Sequence, residues 1–547
     1  MQYPFREPCR SLTTMLICVV IIELLTWSLY RGPEPKSADA PDNDFSSARA
    51  MQIHEALFPD QPHPAGSIQN EQVRDRLVEM LRQLGMRVEV TPWVAASEGR
   101  IVLSNVLAEM PGRKPDGRDS ATHSGARPLV LATHYDSCRA GPGAADDGAA
   151  VAAMIETARA LQHVAPLNRP IYLLFTDGEE LGLLGARQFV QSDPVSARKP
   201  YVLAFDARGN RGPAVMYETH DGNSAAIAAW IPHLAKPRVT GSMFTAVSRN
   251  LPNFSDFQAF APAGWHGFNF ALIGGAHDYH QPGDTRANLD RRSVQHIGDN
   301  ALSLAKVIAA TDTDLPTTSD NAVFFDLFGR CVVQYPSRWS LPLSLVAFMA
   351  VAAANRRRAG LPGFIRAGVR VAACTCAIVV VCSATGWLWS RLLHDVGGLP
   401  RRFVWYGHWI VLGLLLVSAF ISLGVARWSL RGCSGERVWA AAWLWWAVAG
   451  VGAAAFASEF SHLLLFPSIL AALLSLTRLR VEPRSVLASL GHAGLTVPVL
   501  HLFAITLGPS AGAILCPAFA LAFLPLHPVL AMSDVESDLN TAANPTG

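Results

Sequence analysis

The chain has 547 residues, too many for one ordinary domain, so two or more parts are expected. Its formal net charge is only +2 and it carries no long basic run, which argues against nucleic acid as a partner. Half of the residues are apolar but unevenly placed: residues 32–320 read as a soluble domain, and residues 339–531 as apolar runs broken by arginines.

Leu12 to Tyr30 is an apolar stretch of 19 residues preceded by Arg6 and Arg10, just long enough for one membrane-spanning helix. It is long for the apolar part of a cleaved leader, and WSLYRG offers no small-residue cleavage site, so an uncleaved anchor over residues 1–31 is expected. Glu23 inside it reads as a near-interface or bundle-facing carboxylate. Residues 32–44, rich in Pro and Asp, read as a linker. Helical periodicity over Ser46–Leu57 and Glu71–Leu84 is followed by strand-like MRVEV and IVLSNVLAEM, and Gly112–Arg127 reads as a polar surface loop.

Strands and helices then alternate: strand Leu129–Thr133, helix Asp147–His163, strand Ile171–Thr176, helix Glu179–Gln191, strand Val202–Phe205, strand-like AVMYE, helix-like NSAAIAAWI, strand Phe268–Ile273 and helix Arg291–Ala310. This pattern predicts an α/β domain over residues 45–313, with a mostly parallel central sheet and helices on both faces. Cys138 is the one cysteine of residues 32–320, so no disulfide can form within that part.

Residues 314–338 read as a linker and interfacial segment, and residues 339–531 as a membrane domain of about seven helices. Candidate spans are Trp339–Ala354, Val371–Trp389, Phe403–Ala426, Val438–Ala457, Ser461–Leu476, Val486–Leu507 and Ala511–Leu530. Arginines cluster in alternate loops: Arg356, Arg357, Arg358, Arg366 and Arg370, then Arg427, Arg431 and Arg437, then Arg478, Arg480 and Arg484. Placing these loops in the cytoplasm puts the soluble domain outside and the acidic tail, residues 532–547, inside. Arg391, Arg401 and Arg402 run against this pattern. The stretch WAAAWLWW reads as lipid-facing and interfacial tryptophan rather than a cofactor or sterol site.

The chemistry lies in ATHYDSCRAGPGAADDG, residues 132–148, read with FTDGEELG. Both pieces follow short β-type runs, which places His134, Asp136, Asp146, Asp147, Glu179 and Glu180 at the carboxyl ends of strands, where open α/β sheets bind ligands. A hydrolytic two-metal site needs a bridging carboxylate, a few terminal ligands and a base beside the attacking water. Imidazole mixed with carboxylate suits zinc. His134 is one such ligand, and Asp136 is placed to hold its second ring nitrogen. Asp146 can reach two metals from its turn. Glu179 and Glu180 point in different directions, so that one can ligate while the other faces water. Asp206 ends the strand YVLAFD, and His280 follows the last strand in HDYHQPGDT.

Competing readings accompany these residues. Asp147 doubles as a helix N-cap, and Asp177 is structural. His277 and Asp278 compete with His280. His163, His220 and His266 are ordinary histidines. Arg208, Asn210, Asp256 and Tyr279 are candidate substrate contacts, with fold-stabilising hydrogen bonds as the rival role. Cys138 lacks a second nucleophile element.

In order and spacing, HYDS, GPGAADDG, DGEELGLLGA, FDARGNRGP and YHQPGDT resemble the di-zinc aminopeptidase family that includes aminopeptidase Y, glutamate carboxypeptidase and, more distantly, glutaminyl cyclase. The soluble domain followed by FFDLFGRCVVQYP and several spans resembles its membrane-embedded branch, the endoplasmic reticulum and vacuolar membrane metallopeptidases. The resemblance implies a zinc exopeptidase fold and two zinc ions, one held by His134 and Asp206, the other by Glu180 and His280, with Asp146 bridging. It implies Glu179 as general base and a cis peptide between Asp146 and Asp147. That branch often carries Glu where Asp206 stands; either side chain can ligate.

The function expected is therefore a membrane-tethered aminopeptidase acting on peptides. The alternatives are a one-zinc glutaminyl cyclase, against which the full ligand set stands, and a non-catalytic membrane receptor, which has no need of Glu179. Membrane lipid is the other expected partner. The lack of disulfide pairs, and of N-x-S/T sites other than Asn253, tilts the location to a bacterial inner membrane with the domain in the periplasm; the alternative is an endoplasmic reticulum or vacuolar membrane with the domain in the lumen.

Overall fold

The computed structural model describes residues 20–26, 28, 31–96, 100–110, 125–164, 167–238, 241–249, 254–360, 363–395, 407–507, 512–522 and 524–528. The chain divides into two compact units, Leu29–Pro336 and Met1–Ser28 with Ser337–Gly547. Most of the expected anchor and of the loop 112–127 lies outside the described residues, as do Asn253, Arg401, Arg402 and the acidic tail.

Seven strands form the sheet of the first unit: β1 (Arg87–Ala96), β2 (Arg100–Met110), β3 (Leu129–His134), β4 (Ile171–Thr176), β5 (Tyr201–Ala207), β6 (Arg211–Thr219) and β7 (His266–Gly274). Their order is β1-β2-β4-β3-β5-β7-β6. The central four, β4-β3-β5-β7, run parallel, whereas β1 with β2, β2 with β4 and β6 with β7 pair antiparallel. The sheet is thus mixed, parallel only at its centre. Parallel neighbours need a long crossover, while strands as close in sequence as β1 and β2 pair antiparallel.

Alternate residues of the central strands feed two cores. Leu129, Leu131, Leu173, Phe175, Leu203 and Phe205 pack with the helices of one face, α1 (Ser47–Leu57), α2 (Ile68–Gln83), α3 (Gly148–Leu161) and, beyond the strands, α7 (Arg291–Ala309). Val130, Ala132, Leu174, Val202 and Ala204 pack on the other with Phe189, Phe257, Phe260 and Trp265. Burial on both faces explains why LVLA and IYLLF read as unbroken apolar runs. Phe189 belongs to α4 (Leu184–Ser192); α5 (Ser224–Trp230) and α6 (Ser242–Ser248) complete the helices named in this unit.

Two helix starts differ from expectation. Helix α2 begins at Ile68 rather than Glu71 because the Ser67 side chain accepts the Asn70 N–H as a cap. Helix α4 begins at Leu184, not Glu179. Gly178 (φ +75°), Gly182 (φ +103°) and Leu183 (φ +61°) sit in conformations no helix contains, so the two glutamates occupy a turn.

The stretches 32–44 and 314–336, expected as linkers, fold onto this unit. Arg49 donates to the carbonyls of Ala38, Ala40 and Asp44, and to the buried Glu156 of α3. Buried Arg169 donates to the carbonyls of Thr311 (2.8 Å) and Thr313 (3.0 Å) and to Asp314 (3.1 Å). Residues 322–336 form a hairpin, β8 (Ala322–Leu327) with β9 (Cys331–Pro336), tied down by Asn223 Oδ1 on the Ala322 N–H and by burial of Val323 and Phe324.

The second unit contains seven helices among the described residues after Ser337: α8 (Ser340–Ala359), α9 (Phe364–Asp395), α10 (Gly407–Ser429), α11 (Gly435–Phe456), α12 (His462–Leu476), α13 (Val481–Leu507) and α14 (Gly512–Ala522). Each overlaps one of the seven candidate spans, α14 covering only the first half of Ala511–Leu530. Four, Ser337–Ala359, Phe364–Trp389, Gly435–Phe456 and Val481–Thr506, are long and apolar enough to cross a membrane; Gly413–Ser429 and His462–Leu476 are shorter. Glu23 meets His501 of α13 at 2.6 Å, a bundle-facing carboxylate. The tryptophans of WAAAWLWW depart from expectation: Trp439 and Trp443 are buried, and only Trp445 is about half exposed.

The fold makes a prediction about the end of the first unit. A protein ended at Thr313 loses Asp314 and the hairpin, and burial of side chains such as Val323 and Phe324 stabilises by about 1.5–3 kcal/mol each. It should melt roughly 5 °C or more below one ended at Pro336 in a thermal scan; equal melting would show that the hairpin adds nothing.

Candidate metal centre

The parallel centre of the sheet ends in a row of functional groups. His134 closes β3, level with Thr176 at the end of β4, and Asp206 is the penultimate residue of β5. The connections that leave these ends add Asp146 before α3, Glu179 and Glu180 after β4, and His280 after β7.

Asp146 is the centre of the arrangement. Its Oδ1 lies 3.2 Å from His134 Nε2 and its Oδ2 lies 3.1 Å from His280 Nε2, which is also 3.0 Å from Glu180 Oε2. Candidate ligand atoms of His134, Asp146 and Asp206 fall within 4.8 Å of one another, and so do those of Asp146, Glu180 and His280. Each triad holds one imidazole and two carboxylates, and they share only Asp146.

The turn that presents Asp146 is held from outside. Asp284 accepts the backbone N–H of Ala145 at 2.8 Å and of Asp146 at 3.2 Å. The Asp146–Asp147 peptide is cis, as the resemblance implies. Asp147 stands at the N-cap position of α3, yet its carboxylate does not cap the helix; it accepts the hydroxyl of Thr133.

Asp136 sits beside the second ring nitrogen of His134, as expected, and does more besides. His134 Nδ1 lies 3.0 Å from the backbone carbonyl of Asp136 and 3.5 Å from its carboxylate. The carboxylate also accepts the backbone N–H groups of Glu179 (3.1 Å) and Glu180 (3.3 Å). The carbonyl orients the histidine, and the carboxylate holds the turn carrying the two glutamates.

Electrostatics decides what this pocket wants. Burial raises the carboxyls of Glu179 and Asp147 well above their ordinary range, and Asp206 to about 7 with help from the charge of Asp146. Burial would lower His280, but its hydrogen bonds to Asp146 and Glu180 outweigh it and lift the ring to about 10. His134 moves up for the same reason, under Asp136 and Asp146. Too much buried negative charge therefore competes for protons. Among the described residues, Glu180 Oε1, Asp147 Oδ1 and Asp256 Oδ1 are buried without a hydrogen-bond partner. Buried carboxylates left so are costly unless a cation balances them. Imidazole and carboxylate without thiolate fit zinc.

The remaining candidates separate. His277 lies 3.3 Å from Asp278, away from both triads. Asn210 is buried, donating to Asp278 (2.6 Å) and accepting from Arg211 (3.1 Å), a fold-stabilising role. The Arg208 backbone N–H is fixed on the Leu272 carbonyl. Tyr279 stacks on the His280 ring at 3.8 Å. Asp256 accepts from Thr176 and faces the site closely enough for its charge to raise Glu179. Asp177 accepts the Ser104 N–H, a structural role. Burial pushes the Cys138 thiol up to about 11, which keeps it a thiol. His220 and His266 stack on each other, and burial lowers both to about 4. Sequence reasoning gave Asp284 no role; its position in PGDT, four residues after His280, was the only signal.

Residues 105–305, which contain every member of both triads, match the family described as Peptidase family M28. The vacuolar membrane protease of Eremothecium gossypii is 28% identical over 359 residues, 61% of this chain and 34% of that protein. Endoplasmic reticulum metallopeptidase 1 of Rattus norvegicus is 30% identical over 237 residues, 42% of this chain and 26% of that protein. The chain thus spans about a third or less of the length of these curated relatives. Among solved structures, a Zn-dependent exopeptidase from Parabacteroides distasonis superposes with a TM-score of 0.38 and 17% identity, over 49% of this chain and 99% of that one.

Asp284 yields the prediction of this site. Asp284→Ala removes the acceptor that fixes the Asp146 turn, so zinc affinity should fall about 10–100-fold, the usual effect of losing a group that orients a ligand. Competition against a chromogenic chelator measures it; unchanged affinity would mean the turn holds without Asp284.

Proposed function

We propose that the chain is a membrane-tethered di-zinc exopeptidase, most specifically an aminopeptidase. The observation that carries this is Asp146 giving one oxygen to each of two imidazole–carboxylate triads, with half-buried Glu179 close enough to feel the charges of His134, Asp206 and Glu180 while belonging to neither triad. Two complete triads favour two ions over the single zinc of cyclase chemistry. His134, Asp206 and Asp146 would hold one zinc, and Glu180, His280 and Asp146 the other. Zinc bound there polarises a scissile carbonyl and lowers the pKa of water.

The protein's own groups supply the rest. Glu179 takes a proton from the attacking water and hands it to the departing amine, and burial raises its carboxyl above the ordinary range. The Asp136 carboxylate fixes the backbone of Glu179, so the base is aimed by a turn. Asp147, Asp256 and Glu179 add carboxylates beyond the two triads, so the surroundings stay acidic around two dications. Such a site suits a substrate that presents a free α-ammonium, which is the support for aminopeptidase action. The arginine pattern of the membrane helices supports a peptidase unit outside the cytoplasm, in the periplasm of a bacterial inner membrane or the lumen of an endoplasmic reticulum or vacuolar membrane.

Two variants test the assignment. Glu179→Gln keeps size and hydrogen bonding but cannot accept the proton; release of N-terminal residues should drop about 10²–10⁴-fold with zinc content near normal. Asp146→Ala should lose both ions by elemental analysis, whereas His280→Ala should retain one. Activity surviving in Glu179→Gln, or zinc lost with it, would exchange the roles of the two glutamates or end the reading.

A further inference from the structure

One cluster of charge in the membrane unit is not used by the peptidase. Arg358 in the last turn of α8, Glu436 in the first turn of α11, Ser475 near the end of α12 and Arg484 in the first turn of α13 converge at one end of four helices. Arg358 Nε and Arg484 Nη2 both donate to the same oxygen of Glu436, the latter at 2.6 Å. Arg358 also donates to the Ser475 carbonyl at 3.2 Å. The Arg484 guanidinium lies 4.6 Å over the ring of Trp439, whose Nε1 donates to Ser475 Oγ at 2.9 Å.

This network is unbalanced. Two guanidiniums share one oxygen of a single carboxylate, and the exposed Arg356 and Arg357 in the last turn of α8 and Arg478 and Arg480 in the connection between α12 and α13 flank them in sequence. Arg484 has a fully buried side chain, yet its Nε and Nη1 have no partner among the described residues. A buried guanidinium with two unused donors is a demanding arrangement unless an acceptor completes it. Glu436, 41% exposed, marks where the cluster opens to the surface.

Depth and chemistry indicate the missing acceptor. Helices α11 and α13 have 22 and 27 residues, about 33 and 40 Å at ~1.5 Å per residue, against a hydrocarbon core of ~30 Å. Their first turns therefore reach the headgroup layer. The planar donor fork of arginine matches the tetrahedral oxygens of phosphate, and basic pockets between helix ends attract anionic headgroups.

We propose that this cluster binds the phosphate of an anionic phospholipid headgroup, with Arg484 and Arg358 as the residues that pair with it. A free phosphate ion presents the same chemistry, and the depth of the cluster favours the lipid.

The test uses the full chain in phosphatidylcholine nanodiscs with and without phosphatidylglycerol, counting retained lipid by native mass spectrometry. Wild type should retain phosphatidylglycerol and melt higher when it is present. Arg358→Gln and Arg484→Lys should each lower retention about tenfold or more, while Arg356→Gln on the exposed side of α8 should leave it unchanged. Arg484→Lys keeps the charge but removes the unfilled donors, so it decides the matter even if Arg358→Gln fails to fold. Equal retention in wild type and Arg484→Lys would overturn the proposal. So would inorganic phosphate raising the melting temperature as much as phosphatidylglycerol does, because the ligand would then be the free ion.

Discussion

The first unit depends on one carboxylate divided between two imidazoles. Asp146 can face both His134 and His280 only because its turn is held at the end of the parallel strands, with Asp284 gripping two successive N–H groups. Everything around it adds negative charge: Asp206 and Glu180 complete the triads, and Asp147, Asp256 and Glu179 stand behind them. Such crowding is unfavourable in a low dielectric, as the upward displacement of Asp206, Glu179 and Asp147 shows. The fold tolerates it because two buried hydrophobic layers fix the strand ends, so the acids cannot relax apart. A cation held among these acids would turn that enforced repulsion into binding.

The pair Glu179–Glu180 shows how local backbone decides chemistry. On a helix, as the sequence pattern suggested, adjacent side chains diverge by about 100° around a common axis. In the observed turn Asp136 accepts both of their N–H groups, with one glutamate beside His280 and the other outside either triad. The glycines at 178 and 182 produce the turn. The GEELG spacing is thus the means by which one residue becomes a ligand candidate and its neighbour a base candidate.

Much of this was legible in the sequence because the side chains of the site sit in short motifs at strand ends, where alternation and glycine mark position well. The triad members came from those motifs, and their grouping from a resemblance. What stayed hidden depended on contacts across the chain. Asp284 lies 138 residues from the N–H it holds. Asp136 looked like a partner for the imidazole two residues before it and its carboxylate does lie 3.5 Å from that ring, but the same carboxylate also accepts two N–H groups of another loop, which spacing cannot reveal. The hairpin 322–336 read as a linker because its burial relies on Asn223 and on Phe324 reaching the core of a domain that seemed already closed.

In the membrane unit the limit is different in kind. In a soluble domain apolar periodicity separates inside from outside, because one side of each element meets water. In a bilayer both sides are apolar, so a tryptophan facing lipid and one facing another helix look the same in sequence. WAAAWLWW was misread for that reason. Polar atoms separate the two cases: Trp439 donates to Ser475 and lies beneath Arg484, while Trp445 donates only to the Gly368 carbonyl from an exposed position. Buried membrane faces are therefore better sought where an indole, a hydroxyl and a charged group recur at matching depths on different helices. Segment 436–439 and segment 475–484 meet that condition, and Arg484, which in the sequence serves only to orient the chain, becomes part of its interior.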